Sequence, residues 1–269
     1  MAKKTKKTKK IVPKKATKTG PKTAPKTAPK TAMVLAAGLG LRLRPITNKT
    51  PKPLVKVADR TLLDHTLDRL VKAGVERAVV NIHHLADQVE RHLPNRTDLE
   101  IIISSEADDL LETGGGVKKA LPHLGDEPFY ISNADVLWLN GPTPALGRMI
   151  ERWNDDEMDV LLMLHSTVEA YGYTGNGDFE AEPNGKLSRK LEGEITPYLF
   201  TGVQIIHPRI FEATPDGAFS LNVIYDKAIE AERLYGVVHD GEWFHIGTPD
   251  GLAQAEVYMG QRFSGMRHR

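Results

Sequence analysis

Gly38-Leu39-Gly40-Leu41-Arg42 follows a short apolar run, and Pro51-Lys52-Pro53 begins nine residues after Arg42. A Gly-x-Gly after a strand lets the backbone turn tightly, so that its N–H groups can surround a phosphate. Arg42 adds a planar, permanently charged fork suited to phosphate oxygens. Lys52 adds a compact positive charge whose approach is stiffened by a proline on either side. Two familiar phosphate loops do not fit. A dinucleotide fingerprint needs a third glycine where Leu43 stands, and a P-loop needs Gly-Lys-Ser/Thr, which this chain lacks. A structural turn with incidental charges is the competing reading, and Arg42 together with Pro51-Lys52-Pro53 argues against it.

Two further segments carry chemistry. Glu112-Thr113-Gly114-Gly115-Gly116 has the small residues that let backbone groups approach a ligand, or equally a flexible turn before a helix. Ser132-Asn133-Ala134-Asp135 ends an apolar strand. A carboxylate there lies at the rim where α/β sheets place ligands, although Asp is also common as a turn or cap residue. Asn81, His83 and His84 end another strand and could face the same cleft. The ten histidines, with no cysteine and no His-x-x-x-His, argue against a zinc hydrolase.

These residues need a frame to position them. Ala32–Ala37 is an apolar run that stops at glycine, as a buried parallel strand does. Leu62, Leu63, Leu67, Leu70 and Val71 share one face of a helix predicted over 61–73, with Gly74 at its stop. Strands at 77–82, 99–103, 128–132 and 158–164 alternate with helices at 85–93 and from Gly116 to Leu121. A strand at 199–206, a helix over 222–234, a short strand at 243–246 and a closing helix at 249–260 complete the reading. The alternation predicts βαβ units: one α/β domain over 31–269, doubly wound around a mostly parallel, Rossmann-like sheet.

Residues 1–30 contain twelve Lys and no Asp or Glu, and repeat Pro-Lys-Thr-Ala at 21–28. Such a tail has almost nothing to bury and repels itself, which predicts disorder. The remaining 239 residues hold 24 basic and 35 acidic side chains, a net charge of −11. No aromatic residue interrupts the lysines, which argues against nucleic acid as a partner. The basic start lacks the apolar segment of a secretory signal, and no apolar stretch is long enough to span a bilayer. The expected location is the cytoplasm, and the oligomeric state is open.

The run from Gly38 to Arg42 with Pro51-Lys52-Pro53 resembles the pyrophosphorylase signature of the sugar-1-phosphate nucleotidyltransferases, in spite of Leu41 where an acidic residue, Ser or Thr is usual. The resemblance covers about residues 31–260. It implies that Ala36, Ala37, Gly38 and Gly40 wrap a nucleoside triphosphate, with Asn81, Glu112, Gly114 and Gly115 completing the nucleotide site. It further implies Lys52 and Arg42 as catalytic residues, Asp135 as a Mg²⁺ ligand, and Asn133, Thr201, Gly202 and Asn222 facing the sugar. Relatives commonly end the cleft with Trp-x-Asp-x-Gly-Thr, whose aspartate is a second metal ligand; here Trp243-Phe244-His245-Ile246-Gly247-Thr248 puts His245 in that place. Lys186, Lys190 and Glu192 lie where many relatives carry Glu-Lys-Pro, which this chain lacks, so no role is assigned to them.

Leu111–Gly116, Ala120–Gly125, Phe200-Thr201-Gly202 and Gly247-Thr248 are most similar to the short uridylyltransferases that use UTP and N-acetylmuramate 1-phosphate in cell-wall recycling. Alternatives are dTTP, CTP or GTP with another sugar 1-phosphate or phosphocholine, or a catalytically silent nucleotide-sugar-binding protein. Because the fold is predicted to begin near Thr31, deleting residues 1–29 should leave activity and melting temperature unchanged. Loss of activity in the truncated protein at the same ionic strength would move the domain boundary upstream.

Overall fold

The computed structural model describes residues 27–263; the disorder expected of the tail falls on residues 1–26 and lies outside them. Lys30 is already part of the fold, since its carbonyl accepts from the N–H groups of Glu76 and Arg77.

The first half alternates as expected. β1 (Thr31–Leu35) leads through a small hairpin, β2 (Lys56–Val57) and β3 (Arg60–Thr61), into α1 (Leu62–Lys72). Then come β4 (Arg77–Ile82), α2 (Ala86–His92), β5 (Glu100–Ser105), α3 (Glu112–Leu124) and β6 (Phe129–Asn133). Thr61 starts α1 by accepting from the Asp64 N–H at 3.0 Å while donating to the Asp64 carboxylate at 2.7 Å. The second half holds β7 (Val136–Leu139), α4 (Ala145–Arg152), β8 (Val160–Ser166), β9 (Phe179–Ala181) and β10 (Leu187–Arg189). It closes with β11 (Tyr198–Ile206), α5 (Asn222–Glu230), β12 (Leu234–Val238), β13 (Glu242–His245) and α6 (Pro249–Phe263).

The main sheet runs β5-β4-β1-β6 in parallel. It continues through β11, antiparallel to β6, to β8 and β12, while the β9–β10 hairpin joins the start of β11. The sheet is thus mixed and mostly parallel in its first half. Alternate residues of each strand serve opposite cores. Ala32 and Val34 pack with α1, α2 and α4, whereas Met33 packs with α3 and α5. A third cluster joins Leu43, Val57, Leu137, Phe244 and α6 beneath the loops. Among the described residues no helix is long and apolar enough to cross a membrane.

The chain winds outward from β1 to β4 and β5, then returns to add β6 on the other side of β1. Such a reversal leaves a crevice at the carboxyl end of β1, where the flanking loops part. The loops after β1 and β6 flank that point.

Several elements differ from the sequence reading. The helix expected to reach Leu234 ends at Glu230, because Glu232 adopts a left-handed φ of +58° and the chain enters β12. Gly236 hid that strand; a Cβ there would lie 2.7 Å from Leu164 Cδ1, so glycine is what lets β12 approach β8. Strands β7, β9 and β10 and helix α4 were not anticipated.

The glycine triplet is also helical rather than a loop before a helix: α3 begins at Glu112. A Cβ on Gly114 would meet the Phe219 ring at 2.4 Å, and one on Gly115 would meet the Gly217 carbonyl oxygen at 2.2 Å. The glycines therefore let α3 lie against the 217–219 backbone. Alanine favours helices over glycine, yet Gly115→Ala should lower the melting temperature by roughly 3–10 °C, from overpacking of about 1–3 kcal/mol. Gly38→Ala, with open space at its Cβ, should shift it by less than about 2 °C. Equal melting temperatures by scanning calorimetry would disprove the packing role.

Candidate active site

The loop leaving β1 exposes the groups a phosphate needs. The backbone N–H groups of Gly38 through Arg42 have no acceptor among the described residues, and the chain turns at Gly40, whose φ is +63°. A Cβ on Gly40 would lie 2.8 Å from Thr47 Cγ2 and 3.3 Å from Lys52 Cβ, so glycine is needed to bring the Lys52 segment this close. Thr47 Oγ1 donates to the Gly40 carbonyl at 2.8 Å, and His84 Nε2 holds the Thr47 carbonyl at 2.9 Å.

Asn81, at the end of β4, holds the start of the same loop. Its Oδ1 accepts from the Ala36 N–H at 2.7 Å, and its Nδ2 donates to Glu106 Oε1 at 2.7 Å. Glu106 is 1% exposed and accepts the Leu111 N–H on its other oxygen at 3.0 Å. One buried carboxylate therefore ties the loop after β1 to the entry of α3. Sequence reading missed Glu106, for which the only signal is an acidic residue ending an apolar strand.

Lys52 Nζ lies 2.6 Å from Asp135 Oδ2. Two cavities meet at this pair. The larger, about 460 Å³, is lined by Ala36, Ala37, Gly38, Gly40, Asn81, Leu110, Glu112 and Thr113. The smaller, about 200 Å³, is lined by Tyr173, Phe200, Thr201, Gly202, Trp243 and His245. Arg42, Lys52, Asn133 and Asp135 line both.

The smaller cavity is shaped by irregular pairing. The register of β11 against β8 shifts between Phe200 and Gln204, a bulge of the kind that re-aims a strand beside a site. Within it Gly202 has φ +86°, and a Cβ there would strike Asn133 Nδ2 at 2.8 Å. The Thr201 hydroxyl is committed to the Met163 carbonyl at 2.7 Å, while Trp243 Nε1 donates to the Thr201 carbonyl at 3.1 Å. Antiparallel pairing of β7 and β13 sets His245 opposite Val136, next to Asp135. Burial first, then the charges of Arg42 and Lys52, push the His245 imidazole below its ordinary pKa, with Asp135 opposing them. These effects favour the neutral form of the ring.

Not every expected residue reaches the site. Gly114 and Gly115 are buried and line neither cavity, and their N–H groups both donate to the Phe219 carbonyl, at 2.8 and 3.1 Å. Asn222 begins α5 on the surface with its Oδ1 held by Arg189 at 3.0 Å. His83 bonds the Glu106 carbonyl, and Lys186, to which the sequence assigned no role, pairs with Glu232. Tyr173 was overlooked because its loop, 171–185, reads only as Gly- and Tyr-rich.

Among the described residues no group of three or more acidic or histidine side chains is placed to hold a metal ion. The described acidic and histidine side chains therefore do not by themselves cage Mg²⁺. A Mg²⁺ that travels with a triphosphate needs only one or two carboxylates, and Asp135 at the junction of the cavities fits that demand.

The nucleotidyl transferase family matches this chain across residues 31–262. N-acetylmuramate alpha-1-phosphate uridylyltransferase of Caulobacter vibrioides is 44% identical over 233 residues, 85% of this chain and 96% of the relative. The enzyme of the same name from Neisseria meningitidis serogroup B is 34% identical over 231 residues, 85% and 97% of the two chains. The inositol-1-phosphate CTP transferase structure from T. maritima superposes with a TM-score of 0.70 at 20% identity, covering 89% of this chain and 98% of that one, a likeness of fold.

Lys52 sits between the cavities on a surface loop, so Lys52→Ala should cut kcat about 10²–10³-fold, as removal of a charge-stabilising donor does. Its melting temperature should fall by only a few degrees, roughly 2–4 °C per kcal/mol lost, because Asp135 keeps about a third of its side chain in water once its partner is gone. Near-normal pyrophosphate release from the variant would refute the assignment.

Proposed function

We propose, from the premise that the chain belongs to the nucleotidyl transferase family, that it transfers the uridylyl group of UTP to N-acetylmuramate 1-phosphate and releases pyrophosphate. The observation that carries the reading is the pair of cavities meeting at Lys52 and Asp135, one beside a loop of unpaired N–H groups and the other walled by aromatic rings. The nucleotide enters the larger cavity, with its phosphates on Gly38–Arg42 and its nucleoside toward Leu110, Glu112 and Thr113. The sugar 1-phosphate enters the smaller one. The choice of UTP and of the muramate rests on the two relatives of that activity, which align over nearly their whole length.

The chemistry asks little covalent help. A phosphate oxygen of the acceptor attacks the α-phosphorus in line as the bond to pyrophosphate breaks, and that oxygen is already ionised at neutral pH. No general base is needed. The site must align the two anions and offset charge that builds at the α-phosphate and the leaving group. Lys52 reaches both cavities and is held in place by Asp135, so its charge is fixed before the substrates arrive. Arg42, exposed on the turn, is free to fold onto the phosphates. Asp135 and the triphosphate oxygens would hold Mg²⁺, which supplies further neutralisation of the phosphates. We place the reaction in the cytoplasm, in the recycling of cell-wall sugars.

A pyrophosphate-release screen of the five nucleoside triphosphates against a panel of sugar 1-phosphates tests the reading, with Mg²⁺ titrated in parallel. UTP with N-acetylmuramate 1-phosphate should give the highest kcat/KM, and Asp135→Ala should nearly abolish Mg²⁺-dependent turnover. A preference for GTP, or for an acceptor without the lactyl group, would overturn the substrate assignment. Full activity of Asp135→Ala would overturn the metal assignment.

A further inference from the structure

His245 differs from the other enclosed histidines in what its ring touches. His65, His83, His84, His165 and His239 each hydrogen-bond a backbone carbonyl. His92 reaches Asp64, and His207 accepts from the Arg209 N–H. The His245 ring is half-buried, yet it has no hydrogen-bond partner among the described residues. It is nevertheless fixed in place. Tyr173 meets it edge-on at 6.2 Å between centroids, and Trp243 packs against it at 5.9 Å. Its Nε2 also fills the space of a side chain at Gly247, where a Cβ would lie only 2.2 Å away. A held ring with unused nitrogens, facing a cavity, is poised for a ligand.

The charges of the cavity indicate what kind of ligand. Its lining holds two cations, Arg42 and Lys52, against one carboxylate, Asp135. Because Asp135 is bonded to Lys52, the Arg42 charge is left over. A metal cation drawn to the imidazole lone pair would sit against that surplus, whereas an oxyanion is attracted by it and accepts from the imidazole N–H. A carboxylate at position 245 would cancel the surplus.

We propose that His245 binds the acceptor: its imidazole N–H hydrogen-bonds an oxyanion of the sugar 1-phosphate, either the phosphate itself or a carboxylate on the sugar. The inference rests on the assignment of the smaller cavity to the acceptor.

Calorimetric titration tests it on protein saturated with Mg²⁺ and with α,β-methylene UTP, which cannot react, so that metal affinity drops out. N-acetylmuramate 1-phosphate and N-acetylglucosamine 1-phosphate, which lacks the carboxylate, are titrated into the parent, His245→Ala, His245→Asn and His245→Asp. Melting curves confirm that each variant is folded. His245→Ala should weaken N-acetylmuramate 1-phosphate roughly tenfold or more, as loss of a hydrogen bond to a charged group does. His245→Asn keeps a donor and should recover most of that loss, whereas His245→Asp should bind most weakly. A loss shared by both acceptors identifies the phosphate as partner; a loss confined to the muramate identifies its carboxylate. Binding by His245→Ala within twofold of the parent, or tighter binding by His245→Asp, overturns the role of His245 alone. Failure of the parent to bind either acceptor overturns the substrate assignment and this role with it.

Discussion

A triphosphate and a sugar phosphate repel each other, so a protein that joins them must fix positive charge where they meet before either arrives. In the proposed reaction that point is the contact of Lys52 with Asp135, 2.6 Å apart, and it depends on two distant parts of the chain. Lys52 comes from the excursion between β1 and α1, and Asp135 from the turn that ends β6. The two converge because β6 lies beside β1 while β4 and β5 lie on its other side. A sheet without that reversal would leave no crevice at the end of β1.

Close approach of backbones is the second requirement, and glycine meets it at defined points. Gly40 brings the Lys52 segment against the loop after β1, Gly202 lets the β11 bulge press on Asn133, and Gly247 leaves room for the His245 ring. Gly114 and Gly115 act one step back, by seating α3 on the 217–219 segment, and α3 in turn carries Glu112 and Thr113 to the larger cavity. Glu112 holds a left-handed φ of +56°, which costs a non-glycine residue about 1–2 kcal/mol. Strain of this size persists where surrounding structure dictates the backbone, and Leu111, bonded to buried Glu106, supplies that constraint just upstream.

Much of this was legible in the sequence, for physical reasons that also explain the misses. The strand–helix alternation of residues 31–133 is written in hydrophobic period, and β4 falls on its predicted residues. That the Gly38–Arg42 loop and Lys52 belong to one cleft was legible because charge, glycine and proline act over a few residues. Asp135 was legible from its place at a strand end. Features set by partners far along the chain were not. The glycines of α3 read as a loop because Gly217 and Phe219, about a hundred residues away, determine what they do. Asn222 was expected at the sugar and stands on the surface, since nothing in its own segment signals that Arg189 would take its side chain. Glu106 is marked only as an acidic residue ending an apolar strand, and its burial depends on Asn81, twenty-five residues upstream.

The charge of the whole chain says little about how the cavity meets its substrates, and distance explains why. Residues 31–269 carry a net charge of −11, which taken alone would repel nucleotides and sugar phosphates. At physiological ionic strength, however, exposed charges are screened beyond about 8 Å, and many of the carboxylates are already matched, as Asp159 is by Arg209 and Arg233. An anion at the junction of the cavities therefore responds to the groups that line it: Arg42, Lys52, Asp135 and the N–H groups of the loop. Interactions among these are strengthened by partial exclusion of water. In the larger cavity Glu112 joins Asp135 to balance the two cations, so the backbone N–H groups would supply the remaining attraction for the proposed triphosphate. In the smaller cavity no second acid is present, and the neutral imidazole of His245 leaves a net positive charge. On the proposed reading each cavity thus attracts its anion by a different means, one through backbone dipoles and the other through an uncancelled side-chain charge.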